Sequence, residues 1–432
     1  MREILTELIL NFYGAQLPTL KSREIVVQEL PRNASILVGM RRTGKTFRVF
    51  QLIRDLLVSG VPRERMLYLN FDDERLAGLA TRDLSLIPEI FYHAYPENVS
   101  EQCYFFLDEI QDVANWEVFV RRLIDSGHIQ VVLTGSSSKL LSSEISTTMR
   151  GRSVETEVFP LSFAEYLKYH SILDRIPRLV NTATRAKIKH ALDSYFLQGG
   201  FPEVQECSQE LWASKLQSYT NEVLFRDLVE RYGISNVQAL QYILRKAVQN
   251  PGGQLSANAI YRELKGNGYK VDRESIGNYI KYFCQAYLMF EVPFHSESLA
   301  QRMVNPPKIY LVDVGLVRAM TSKHSANQGF LLENLVFLHL RRKGFELEYL
   351  VTREGYEVDF VACSKFEHKY HLIQVSYAID SEKTRDREVR ALTAAAKLLQ
   401  PVRMAIVTWD TEMELAAGIR VIPAWKFLLD LE

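Results

Sequence analysis

Gly39-Met-Arg-Arg-Thr-Gly44-Lys45-Thr46 fits the pattern G-x-x-x-x-G-K-[ST]. Its setting gives the match weight. An apolar run over 35–39 reads as a strand before it, and 47–57 has a helical period after it. Each residue type has a physical reason. The glycines let backbone N–H groups wrap phosphates, and the following helix aims its positive N-terminus at them. Lys45 is expected to reach the β- and γ-phosphates, and the Thr46 hydroxyl to hold Mg²⁺. The expected ATP-contacting set is Gly39, Arg42, Thr43, Gly44, Lys45, Thr46 and Phe47. Arg41 and Arg42 are also open to phosphate, nucleic acid or a partner. A chance glycine loop is the alternative, and the flanking strand and helix speak against it.

Working outward, Tyr104-Phe-Phe-Leu-Asp108-Glu109 supplies the carboxylates that such a site needs. Asp108 is expected to hold Mg²⁺, and Glu109 to act as general base on the attacking water. Two surface acids ending a strand are the alternative. Apolar runs at 35–39, 66–71, 103–107, 129–134 and 154–159, separated by helical patterns, indicate buried parallel strands of an α/β sheet. The run at 66–71 lies between the glycine-loop strand and the Asp108 strand, an insertion expected of AAA+-like P-loop ATPases. The run at 129–134 leads into Thr134-Gly-Ser136-Ser137-Ser138. Ser136 is the candidate γ-phosphate sensor, a serine-rich turn the alternative. Arg150 or Arg152 is the candidate for an arginine finger to a neighbouring subunit, which implies a homo-oligomer; a solvated loop or ion pair weighs equally.

The 432 residues suggest several domains. With 47% hydrophobic and 24% charged residues, a disordered chain is excluded. The 52 basic residues balance 52 acidic ones, so any nucleic-acid affinity must come from a local patch. No apolar run reaches membrane-span length, and 1–10 reads as an amphipathic helix, not a signal peptide. The four cysteines are scattered, which fits reduced, buried thiols and a cytoplasmic location.

Four regions are expected: an ATPase domain over 1–160, a helical lid or linker over 161–235, a winged helix over 236–325, and an α/β domain over 326–432. In the third, helices over 256–264 and 272–287 flank a Gly-Asn-Gly turn, and strands at 288–294 and 308–314 follow. That region carries 13 basic against 8 acidic residues over 226–325. Its second helix presents Arg273, Ser275, Asn278 and Lys281 as candidate DNA contacts. Docking of a protein is the alternative use of such a module.

The sequence resembles a prokaryotic family of AAA-type ATPases with a C-terminal domain of unknown function. The stretches that carry the likeness are 39–46, 67–75 (LYLNFDDER), 105–110 (FFLDEI), 133–138 (LTGSSS), Gly151-Arg152, 160–166 (PLSFAEY), 199–204 (GGFPEV) and 310–316 (YLVDVGL), nearly the whole chain. The order Glu333 on a helix, Asp359 in a strand and Gln374-Val-Ser376 in the next strand is similar to the restriction-endonuclease-like PD-(D/E)XK fold. That likeness implies acids that hold metal ions against a phosphodiester, assisted by a lysine. Here Ser376 stands at the lysine position and Gln374 at the glutamate position. Lys365 or Lys383 are substitutes that nothing in the sequence favours. A degenerate fold for DNA binding or subunit contact is therefore expected over cleavage, with plain fold-stabilising acids as the third reading. The charge alternation of 385–390 (RDREVR) reads as a solvated helix face.

Together these readings predict a Mg²⁺-dependent ATPase of AAA+ type that drives a winged-helix and nuclease-like module on DNA. A nucleotide switch that docks a protein, and an ATP-powered nuclease, are the alternatives.

Overall fold

A computed structural model describes residues 1–135, 149, 151–208, 210–321, 327–364 and 369–431. The chain divides into two compact units, Met1–Val158 and Phe159–Glu432.

In the first unit, α1 (Arg2–Gly14) precedes an extended segment, then β1 (Ala34–Val38) and α2 (Lys45–Val58). β2 (Met66–Asn70), α3 (Leu86–Ala94), β3 (Cys103–Asp108), α4 (Trp116–Asp125), β4 (Ile129–Gly135) and β5 (Ser153–Glu157) follow. All five strands are parallel, in the order β2-β3-β4-β1-β5. Every residue of β1 is buried, as a central strand covered on both faces requires. On one face Leu37, Phe106 and Val132 pack with Val49 and Ile53 of α2. The parallel order places the ends of β1, β3 and β4 along one edge, where the glycine loop lies. Gly39 is needed there: a Cβ would fall 2.3 Å from the carbonyl oxygen of Val158.

In the second unit, α5 (Phe163–Tyr169), α6 (Thr182–Gln198) and α7 (Trp212–Glu222) come first, and α7 runs on into π-helical turns over Val223–Glu230. Three further helices follow: α8 (Val237–Gln249), α9 (Ala257–Gly266) and α10 (Arg273–Gln285). Ser256 and Asp272 cap α9 and α10 by accepting from Ala259 N and Ser275 N. β6 (Met289–Val292) and β7 (Lys308–Leu311) then form an antiparallel ribbon, with α11 (Leu299–Val304) in its connection. The expected strand over 308–314 stops early. Asp313 accepts from Leu316 N at 3.1 Å and starts α12 (Val314–Met320).

Asp313 also explains why two distant motifs travel together. Its Oδ2 accepts from Gly200 N at 2.7 Å, and Cβ atoms at Gly199 or Gly315 would meet Asp313 and Gln198 O within 2.0 Å. Burial pushes its carboxyl up to about 6, although the N–H groups of Gly200 and Leu316 pull the other way.

α13 (Gln328–Arg342) is buried all round from Leu331 to Leu340. The C-terminal sheet comprises β8 (Glu346–Val351), β9 (Glu357–Cys363), β10 (Tyr370–Val375), β11 (Arg403–Thr408), β12 (Met413–Leu415) and β13 (Ile419–Pro423), in the order β12-β13-β11-β10-β9-β8. α14 (Glu382–Leu399) covers it through Ala391, Leu392 and Ala395, and α15 (Ala424–Phe427) ends the chain. Of the four free cysteines only Cys103 is fully buried; Cys207, Cys284 and Cys363 are half-buried, so the expectation of buried thiols holds for one.

Candidate functional site

The turn from β1 into α2 is built on its glycines. Gly44 sits at φ +95 as the N-cap of α2, and Arg42 also has a positive φ of 67. The first N–H groups of α2, which have no intrahelical partner, therefore face the hollow of the loop. Lys45 Nζ donates to Gly39 O at 2.9 Å and Met40 O at 3.0 Å, so its ammonium lies folded over the loop. Thr43 is buried and its hydroxyl donates to Met40 O at 3.0 Å. Arg42 and Phe47 are exposed at the mouth. The extended segment before β1 braces this turn. Buried Arg23 donates to Thr43 O at 2.8 Å, and Gln51 of α2 holds the backbone of Arg23 from both sides.

Asp108 ends β3 beside this loop and is buried. Its carboxylate accepts from Tyr68 of β2 at 2.9 Å, from the Thr134 hydroxyl of β4, and from Thr46. Burial still pushes its pKa up, against those donors. A buried carboxylate held against the Thr46 hydroxyl is an all-oxygen donor set of the hard type that Mg²⁺ prefers. Thr46 and Asp108 fit that ion, which would supply charge to the phosphates of a bound nucleotide. Glu109 leaves the strand in left-handed conformation, φ 57. Its backbone N–H donates to Thr134 Oγ1 at 3.2 Å, and its Oε2 accepts from Gln111 Nε2 at 2.5 Å. The structure thus assembles Lys45, Thr46, Asp108 and Glu109 at one sheet edge. It adds Tyr68, Thr134 and Gln111, which reading the sequence did not single out.

Ser136 and Arg150 lie outside the described residues. Arg152 does not reach this loop. It precedes β5 at the opposite end of the strands, about 20 Å away at 3.3 Å per residue, and pairs with Asp125 beside Arg121 and Arg122.

A second charged centre lies in the C-terminal unit, where Glu333, Asp359 and Gln374 do come together. Gln374 Oε1 accepts from Asp359 N at 3.2 Å, and Asp359 Oδ2 accepts from Val375 N at 3.0 Å. Between the acids sits a residue absent from the sequence reading. Lys308 Nζ, on β7, lies 3.1 Å from Glu333 Oε1, 3.0 Å from Asp359 Oδ1 and 2.6 Å from Glu357 Oε1. Its side chain is 4% exposed. Burial works against the ammonium, but Asp359, Glu333 and Glu357 outweigh it and hold the pKa above the usual lysine value. Tyr310 donates to Glu333 at 2.6 Å. Burial, then the neighbouring Asp359 charge, pushes Glu333 up to about 8. Lys365 lies outside the described residues, and Lys383 is exposed on α14. The cavity here is about 960 Å³ and is also lined by Tyr356, Ser376 and Arg387. Arg387 pairs with Glu388, which is 2% exposed, so the helix face read as solvated in 385–390 turns one of its acids inward. Among the described residues no three His, Cys, Asp or Glu converge as a metal-ligand set.

Of the candidate DNA contacts, Arg273 and Lys281 are exposed on α10 and Asn278 is half-buried. The Ser275 hydroxyl is taken up by Asp272, at 2.6 Å. No helix among the described residues is long and apolar enough to cross a membrane.

Comparison with known proteins assigns residues 31–167 to an AAA domain family. Residues 189–327 and 328–427 match two domains of unknown function, DUF8612 and DUF4143. An uncharacterized protein of Methanocaldococcus jannaschii is 35% identical over 421 residues, covering 94% of this chain and 91% of its own. An uncharacterized protein of Haemophilus influenzae is 28% identical over 344 residues, covering 80% and 82%. Among solved structures, the Aeropyrum pernix ORC1 protein in complex with DNA aligns with a TM-score of 0.29 at 14% identity, over 74% of this chain and 90% of that one. With its AAA domain and two further matched domains, this chain belongs to the same family as the M. jannaschii protein.

Proposed function

We propose that the chain hydrolyses ATP with Mg²⁺ at Thr46 and Asp108, and uses that cycle to rearrange its C-terminal modules on DNA. The observation that carries the ATPase reading is the convergence of the Lys45 loop, Asp108 and Glu109 at one sheet edge. Lys45 releases the loop carbonyls and turns to the phosphates. Glu109 takes a proton from the water that attacks the γ-phosphorus. Thr134, bonded to both Asp108 and the Glu109 backbone, ties the two acids together.

The helices α8–α10 and the β6–β7 ribbon have the element order of a winged helix, with α10 as its recognition helix. Arg273 and Lys281, about 12 Å apart along that helix, suit phosphates more than base edges, so binding is salt-sensitive and weakly selective. Lys308 supports reading the Glu333–Asp359 centre as non-cutting, because its ammonium fills the space between the acids. Arg152, far from its own loop, serves the nucleotide of a neighbour in a head-to-tail oligomer.

Phosphate release tests this, with and without single-stranded, duplex and branched DNA. Turnover must vanish in Lys45→Ala and in Glu109→Gln. Stimulation by DNA that is lost at raised salt supports the DNA reading. Turnover indifferent to every nucleic acid refutes it and favours the protein-docking switch, to which the balanced charge of 52 against 52 already points.

A further inference from the structure

We propose that Gln111 is a positioning residue for ATP hydrolysis, holding the Glu109 carboxylate at the angle from which it meets the attacking water. This rests on the ATPase reading above. Three observations carry it. Gln111 is itself buried: only 4% exposed, it sits in a tight turn of 3-10 helix over Ile110–Asp112, with Ile110 fully buried beside it. Its amide Nε2 donates to Glu109 Oε2 at 2.5 Å, a short bond to a half-buried carboxylate. And Glu109 leaves the strand at φ 57, a left-handed backbone geometry uncommon for a non-glycine residue, which turns its side chain off the strand.

Glu109 is tied at both ends. Its backbone N–H is tied to Thr134, and through that hydroxyl to Asp108. Its side chain is tied to Gln111. A glutamate has three side-chain torsions, and the Gln111 amide acts at their far end, on the carboxylate itself.

In the chemical step the water oxygen bonds the γ-phosphorus, and the bond to the β–γ bridging oxygen breaks. ADP leaves with that electron pair, and the water proton passes to Glu109. Misplacing the accepting oxygen by about 1 Å costs on the order of 10²-fold in rate. Nucleotide affinity is set elsewhere, by the Lys45 loop.

The prediction is a split between kcat and KM. Gln111→Ala lowers kcat about 10- to 100-fold and leaves both KM for ATP and the dissociation constant of a fluorescent ATP analogue within about twofold. Gln111→Glu keeps the shape but removes the donor, and loses at least as much. Thermal unfolding and analogue binding show whether each variant is folded. Coupling is read in a Glu109→Asp background: the shorter carboxylate cannot reach the amide, so adding Gln111→Ala costs less than threefold more. A structural role gives the full loss again. Wild-type kcat in both Gln111→Ala and Gln111→Glu, or full additivity with Glu109→Asp, overturns the inference. A wild-type protein with no Lys45-dependent turnover overturns the ATPase reading instead.

Discussion

Removing the ammonium from the C-terminal centre is the sharpest perturbation available. Lys308→Met keeps the length of the side chain but leaves Glu333, Asp359 and Glu357 facing one another. Before the change, Lys308 Nζ stands within 3.1 Å of all three, with a side chain 4% exposed. Removing one partner of a buried ion pair costs about 3–5 kcal/mol, because the remaining charge is left desolvated. For a unit of this size that is a fall in melting temperature of about 6–20 °C. The cost depends on pH, and the direction follows from the acids. Glu333 is already pushed up to about 8 with Lys308 present, and loss of the ammonium raises it further. A carboxyl whose folded pKa lies above its unfolded value, about 4.3 for Glu, contributes fully below that value. The contribution is lost as pH climbs through the folded pKa. The deficit of Lys308→Met carried by Glu333 is therefore small at pH 5 and grows as pH climbs above about 8, where the wild-type carboxyl ionises and that of Lys308→Met does not. Denaturant unfolding followed by tryptophan emission reads it, since three of the four tryptophans, Trp212, Trp409 and Trp425, lie in the C-terminal unit. Adding Glu333→Gln restores part of the loss at pH 9. A deficit under about 1 kcal/mol at pH 9, or an equal deficit at pH 5, refutes the argument that the ammonium neutralises buried acids.

Two further outcomes follow from single contacts. Tyr68→Phe removes a donor 2.9 Å from the buried Asp108 carboxylate, and it raises the Mg²⁺ needed for half-maximal phosphate release about 10-fold; an unchanged Mg²⁺ titration would place Tyr68 outside the site. Gly315→Ala puts a Cβ 2.0 Å from Gln198 O and lowers soluble yield and melting temperature sharply, whereas Gly277→Ala, on α10 with open space around it, is neutral or stabilising by up to about 1 kcal/mol.

The parts of this fold that could be read ahead are those whose cause is local. The glycine loop is eight consecutive residues, and the β1–β4 runs are largely apolar because central parallel strands bury both faces, whereas the edge strand β5, Ser-Val-Glu-Thr-Glu, is only half-buried. α9 and α10 announce themselves by Ser256 and Asp272. α8 carries the same signal, an Asn236 cap ahead of Leu240, Ile243, Leu244 and Ala247. Tyr68 and Thr134 could not be singled out, because nothing but the β2-β3-β4 order places their hydroxyls on Asp108. Gln111 was two residues from Glu109 in plain view; what makes it matter is its burial, which a polar residue after a strand does not advertise.

Lys308 shows the harder case. It reads as the polar start of a strand, and its partners lie 25 and 51 residues further on. Ser376 stands where a lysine is expected along the chain, and the fold supplies one from across it, on β7. The consequence reaches the matched families themselves. The boundary between the two domains of unknown function falls at residues 327 and 328. Lys308 and Tyr310 lie before it, and Glu333, Glu357 and Asp359 after it. The same seam is crossed again where the Asn334 side chain bonds both the N–H and the carbonyl of Leu311, at 2.7 and 2.9 Å. A ribbon that lends its lysine, its tyrosine hydroxyl and its backbone to the next domain is part of that domain's core. Cutting the chain at the boundary leaves the buried Glu333 and Asp359 without their cation on one side and a buried ammonium without its acids on the other. In this chain the two matched stretches therefore share one buried centre, built from the β6–β7 ribbon on one side of the boundary and α13 and β9 on the other.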